Sequence, residues 1–376
     1  MSTPENHENI DPSAKLRNFV SPEAHKILEV LEVVKGKYIT SAHDKTLMEE
    51  CNRLFVQAGL RENIREPHSR TNRREGRLLV FTGPSGAGKT RSLLRTLRRH
   101  PALAGHDPEA PDSPITVVTV TSPCTLKQLG RDTLHNTGYP LERDLLEHLT
   151  WEKVRHRLDK GNKIVLVYDE MQHITQTANA AEQQKVANTI KDLMINREWR
   201  LSIIVCGLPS VAEFIHNDIQ LKRRARFVEM KPLTMPDDNP DIAAMITVLA
   251  QFADLTVEGD VETDLAPRLI HAAGNLFGVA IEITHDAIET ALAPDYLDLA
   301  RDDDAVGGAL EPSGPNTLLT RDHFARALEG RIGCTDDENP FISRDWVTTL
   351  APKPVVEPPK KSRKRAAKAS VQGSNP

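Results

Sequence analysis

Three clusters of residues in this chain have types and spacings that could do chemistry. Gly83-Pro84-Ser85-Gly86-Ala87-Gly88-Lys89-Thr90 fits GxxxxGK[ST] in full. Its glycines let backbone N–H groups turn inward around phosphates, and the helix that follows adds the positive end of its dipole. In that frame Lys89 reaches the β- and γ-phosphates, Thr90 ligates magnesium, and Arg91 completes the cofactor-binding stretch. The expected cofactors are ATP and Mg²⁺. The second cluster is Asp169-Glu170, at the end of the apolar run IVLVY. An acid there holds magnesium directly or through water. The adjacent Glu170 is placed to polarise an attacking water, so the pair points to hydrolysis rather than binding alone. Gln172 and His173 follow and stay outside the candidate set. The third cluster is Arg223, Arg224 and Arg226. An arginine aimed at a neighbouring subunit's γ-phosphate is worth roughly 10³–10⁵ in rate. The alternative is a basic surface or acidic-lipid patch; position favours the finger without saying which of the three it would be. Ser210, after CGLP, either senses the γ-phosphate or caps the helix SVAEFI.

These residues need elements to hold them. LLVFT (78–82), ITVVTV (115–120), IVLVY (164–168), LSIIVC (201–206) and FVEM (227–230) read as strands, with helical stretches between them. Apolar runs without period-two alternation imply strands buried on both faces. The expected fold is α/β: a three-layer α/β/α P-loop core with a parallel five-stranded sheet. Four regions follow: a helical N-terminal extension with an Arg-rich linker (1–76), the core (77–231), an all-α lid (232–335) and a disordered Pro-rich basic tail (336–376). The linker carries six arginines between 61 and 77. It is either a solvated connector or a basic strap against DNA or a neighbouring subunit. An acidic, Gly-rich insert (298–316) reads as a loose loop in the lid.

Composition sets limits. The 376 residues are 39% hydrophobic and 27% charged with net charge −5, so any nucleic-acid contact must come from a local patch. Aromatics are only 4%, which argues against base-stacking platforms. The four cysteines are scattered without a CxxC pair and read as reduced thiols in a cytoplasmic protein. No apolar run approaches the roughly 18–20 residues of a membrane span. No run of strands follows the core, as a second helicase domain would require, and no NKxD motif marks a GTPase.

Taken in order, GPSGAGKT, YDE, the CGLPS turn, KRRARF and a helical lid resemble an AAA+ ATPase. The helical lead-in, the DE-xx-H form at 169–173, the turn at 207–209 and the box at 223–227 are most similar to the TniB/TnsC/MuB group of transposition ATPases. The resemblance covers roughly residues 20–335. It implies a bacterial, DNA-associated protein that forms an ATP-dependent ring or filament on double-stranded DNA. It implies recruitment and stimulation of a DDE transposase, a possible target-selection adaptor, and arginine fingers acting between subunits. It also implies DNA contact after the second strand, where Lys127 and Arg131 share a helix face. They would touch phosphates, unless that face is simply solvated. One departure is a helix start in the lid, Gly274-Asn275-Leu276-Phe277-Gly278, which lacks an arginine. The basic tail KKSRKR suits DNA, a transposase contact or nuclear targeting. Two other readings remain open: a replication-initiator or helicase-loader relative, and a signalling or defence NTPase switch with no DNA role.

Overall fold

The computed structural model describes residues 22–292 and 317–349. Two helices, α1 (Pro22–Gly36) and α2 (Ala42–Ala58), lead in. The core strands are β1 (Leu78–Thr82), β2 (Ile115–Thr119), β3 (Val165–Asp169), β4 (Ser202–Gly207) and β5 (Ala225–Glu229). Between them run α3 (Lys89–Arg99), α4 (Leu126–Asn136), α5 (Glu147–Lys160), α6 (Gln172–Thr177), α7 (Ala180–Ile195), α8 (Pro209–His216) and α9 (Ile219–Lys222). The strands form one sheet, ordered β2-β3-β4-β1-β5, with every pairing parallel.

Alternate residues along each strand serve opposite faces. Leu78, Val80, Leu166, Tyr168, Ile203 and Val205 join one apolar cluster with α4, α5 and α7. Leu79, Phe81, Val165, Val167, Ile204 and Cys206 join the other with α2 and α3. Both faces are covered over β1, β3 and β4, which is why those strands read as continuous apolar runs, whereas β5 at the sheet edge is largely exposed. This is the expected three-layer arrangement.

The lid is α10 (Asn239–Phe252), α11 (Ala266–Ala272), α12 (Phe277–Leu292) and α13 (Arg321–Ile332). It departs from the sequence reading in three ways. First, it contains strands after all: a short parallel pair, β6 (Thr256–Val257) with β7 (Leu318–Leu319). Two residues are too few for periodicity to register. Second, α1 belongs to the lid's apolar cluster through Leu31 and Val34, whereas α2 packs on the sheet. Residues 22–76 are therefore divided between the lid and the core. Third, packing does not stop at 335. Phe341 and Asn339 are buried, Asn339 Nδ2 donates to Ala325 O at 2.9 Å, and Arg268 donates to the carbonyls of Pro340 and Ser343. The acidic insert and the basic tail beyond 349 lie outside the described residues.

The Arg-rich stretch is largely exposed, yet it is anchored at a few points. It docks on its own core. Arg73 lies over the Trp199 ring at 4.3 Å and Arg70 at 5.4 Å, while Arg70 also pairs with Asp159. Buried Asn72 satisfies its amide on Asn63, Glu66 and Pro67 carbonyls, and Arg200 pairs with Glu62 at 2.6 Å. A guanidinium on an indole face contributes about 0.5–2 kcal/mol, so arginine here works as packing as well as charge.

Candidate nucleotide site

The loop after β1 reaches α3 through Gly88, whose φ of 93° is left-handed and favours glycine over any residue with a β-carbon. At the start of α3, the nearly buried Lys89 donates from Nζ to Pro84 O at 2.8 Å, spanning its own loop. Burial lowers its pKa, against the raising influence of Cys206, Glu170 and Asp169. The Thr90 hydroxyl donates to Asp169 Oδ2 at 2.6 Å, joining α3 to the end of β3. Glu170 N donates to Asp169 Oδ1 at 2.9 Å. Glu170 itself takes a φ of 57°, a sparsely populated conformation for a non-glycine residue that turns the chain out of the strand. The Gln172 amide holds its carboxylate, and His173 Nε2 lies 4.0 Å from the same oxygen.

A cleft of about 840 Å³ opens over this constellation. The loop 84–88, Lys89, Thr90, Arg91, Glu170 and Gln172 line it from the core, and Gly278, Ile281, Glu282 and His285 line it from one face of α12. A second pocket of about 370 Å³ shares Tyr38, Ile39, Ser41, Ala87, Met230 and Phe277 with the cleft and extends between the lead-in and α10. The first space has hard oxygen ligands and an ammonium at a phosphate-binding loop. The second is mostly apolar and suits a planar base. The pairing of Thr90 hydroxyl with Asp169 carboxylate also fits Mg²⁺, which prefers oxygen donors.

The lead-in is fixed over the site by groups that the sequence reading did not pick. Asp44 accepts from Tyr38 (2.6 Å), Ser92 (2.5 Å) and the Ser41 backbone (2.7 Å). Arg91, expected at the cofactor, lines the cleft but donates to the carbonyls of Lys35 and Lys37 at 3.0 and 2.9 Å. It braces the lead-in against α3. His285 is buried, its pKa is pushed down to about 4 chiefly by desolvation, and its Nε2 has no hydrogen-bond partner among the described residues.

The lid meets the phosphate loop at Gly278. A β-carbon there would come within 2.3 Å of Gly86 O and 3.1 Å of Gly88 N, both backbone atoms that cannot swing away. Gly278→Ala is therefore expected to lever the lid off the loop. Stability should fall by about 1–3 kcal/mol, as for overpacking elsewhere, and nucleotide affinity should drop with it. Thermal denaturation and titration with a fluorescent nucleotide would check both. Unchanged values would mean that the lid does not seat there.

The other expected residues lie elsewhere. Ser210 does not line the cleft, and its Oγ pairs with Thr175 Oγ1 at 3.0 Å, joining α8 to α6. Arg223, Arg224 and Arg226 cluster where β5 begins, at the strand ends opposite the phosphate loop, because Ala225 pairs with Leu78, the first residue of β1. With Arg53 and Arg77 they surround a groove of about 310 Å³. Arg224 is held by Glu75 (2.8 Å) and Arg226 by Glu50 (2.5 Å), whereas Arg223 makes no ion pair among the described residues. Lys127 and Arg131 on α4 both clasp Asp144, at 2.6 and 2.9 Å, and these contacts hold its carboxyl below the usual range.

Residues 72–215 match a family model described as an AAA domain. The core has the P-loop AAA+ fold. No curated protein matches the chain. Among solved structures, Cdc6p from Pyrobaculum aerophilum aligns at TM-score 0.53 with 11% identity, covering 81% of this chain and 72% of that one. The Aeropyrum pernix ORC2 protein (ADPNP–ADP complexes) aligns at TM-score 0.51 with 14% identity, again over 81% and 72%. At those identities the likeness is one of fold. The core thus carries a candidate nucleotide site, and no described helix is long and apolar enough to cross a membrane.

Proposed function

We propose that this AAA+ protein hydrolyses ATP as an assembly on duplex DNA and regulates DNA transposition by marking a target and recruiting a transposase. The observation that carries the hydrolytic part is the Thr90–Asp169 hydrogen bond with Glu170 beside it. Lys89 leaves Pro84 O for the β- and γ-phosphate oxygens. Thr90 and Asp169 hold Mg²⁺, which when bound neutralises phosphate charge. Glu170 takes the proton of the attacking water. The arginines at the far end of the sheet serve a neighbouring copy's nucleotide, so full activity requires assembly.

For DNA, the support is that Lys127 and Arg131 already grip one carboxylate between them, much as they would grip a phosphate. The transposition role rests on the motif resemblance. A second reading, a replication-initiator or helicase-loader relative, is favoured by the fold likeness to Cdc6p and ORC2.

Imaging with linear duplex DNA and a slowly hydrolysed ATP analogue tests the reading. Rings or filaments that need both components are expected. Replacing Lys127 and Arg131 by alanine should flatten the slope of log affinity against log salt by about one to two, because each phosphate left without its cation lowers that slope by about 0.9. Monomers that ignore DNA at low salt would overturn the DNA role and favour a signalling switch. Stimulation of strand transfer by a DDE transposase would separate transposition from the initiator reading.

A further inference from the structure

The group that spans Glu170 and the β4–α8 turn is Gln172, which sequence reading passes over. Gln172 is 7% exposed and opens α6. Its Nε2 donates to Glu170 Oε2, and its Oε1 accepts from Leu208 N at 3.3 Å. The backbone around it is pinned: Met171 N donates to Cys206 O at 3.0 Å, and a β-carbon on Gly207 would come within 2.5 Å of Gln172 Oε1. Leu208 and Pro209, in the same turn, line the cleft. Ser210 in the same segment, read from sequence as either a sensor or a helix cap, pairs with Thr175.

The geometry points to Gln172 as the positioning residue of this site: its carboxamide aims the Glu170 carboxylate and takes its own orientation from Leu208 N. A phosphate that arrives at the 207–209 turn thereby sets where the base points. This rests on the reading of Glu170 as the base. The chemistry requires a glutamine. One planar group must donate at one end and accept at the other; glutamate cannot donate, lysine cannot accept, and asparagine is a methylene too short. Tying one carboxylate oxygen leaves the other for water, which suits a base that must hold one line of attack. Glu170 lies just past the end of β3 with a left-handed backbone, so the strand pairing does not fix where its side chain points.

The test is a cycle with Gln172→Met and Gln172→Glu, each made in the wild-type chain and in Glu170→Gln. Gln172→Met removes both hydrogen bonds, while Gln172→Glu keeps the acceptor for Leu208 N and loses the donor. Each should lower kcat by about tenfold or more, a fraction of the ~10²–10⁴ that a positioned base supplies. KM and fluorescent-nucleotide affinity should stay within about threefold, because binding energy is not what is removed. In the Glu170→Gln background neither should cost anything further, since the group it positions is gone. Gln172→Met with wild-type kcat overturns the proposal while Glu170 stands. So does a loss that appears equally in nucleotide affinity, or one that multiplies with Glu170→Gln. Wild-type turnover by Glu170→Gln alone removes the base and Gln172's role together.

Discussion

Glu170→Gln is expected to slow ATP turnover by about 10²–10³-fold while leaving nucleotide affinity nearly unchanged. The substitution keeps the shape of the side chain and removes the charge that would take the water proton. Lys89, Thr90 and Asp169 are untouched, and the Thr90–Asp169 hydrogen bond stays in place. Phosphate binding and magnesium ligation therefore persist while the chemical step stalls. Assemblies formed with ATP on DNA should outlast those of the wild type for the same reason. Steady-state turnover beside a nucleotide titration checks the first part, and dissociation from DNA after dilution checks the second. Hydrolysis at the wild-type rate would sink the assignment of Glu170 as base.

The second large effect belongs to Arg223. Arg223→Ala should reduce turnover by about 10³-fold or more, the low end of what a transferred arginine supplies. Arg224 and Arg226 should matter less as fingers. Each is engaged by a carboxylate of its own chain, Glu75 and Glu50, and their removal would loosen the groove rather than take away a mobile charge. Arg223 is exposed and makes no ion pair among the described residues. It precedes β5, whereas the phosphate loop follows β1, and these parallel neighbours put the two at opposite strand ends. At about 3.3 Å per residue, a five-residue strand separates them by over 13 Å, so the guanidinium cannot serve its own site. Mixing Arg223→Ala with Glu170→Gln protomers should then restore part of the activity, because some mixed interfaces pair an intact arginine with an intact base. No recovery on mixing, or full activity of Arg223→Ala alone, would move the finger elsewhere.

What was legible in the sequence follows from how local the constraint is. Phosphate binding dictates residue type at four of eight consecutive positions, so the loop at 83–90 announces itself. Strands covered on both faces need apolar side chains everywhere, so β1, β3 and β4 stand out as well. The choice of distant partners leaves no such trace. Nothing in α1 says that Leu31 and Val34 pack with the lid rather than the sheet. Arg70 and Arg73 look solvated until Trp199, far along the chain, supplies the surface they cover. Ser210 has the position of a sensor, and only the approach of Thr175 from α6 reveals its bond. Gln172 stood in view beside Glu170, but its role depends on Leu208, which the fold brings to it.

The chain passes between the α1–lid body and the sheet body at 37–41 and again at 231–238, and residues from both crossings line the smaller pocket. Both tethers enter the lid on the side where that pocket lies. Phe277, which lines it, is followed directly by Gly278, which meets the phosphate loop. One end of α12 therefore touches both compartments, and whatever fills either of them presses on the same turn of helix.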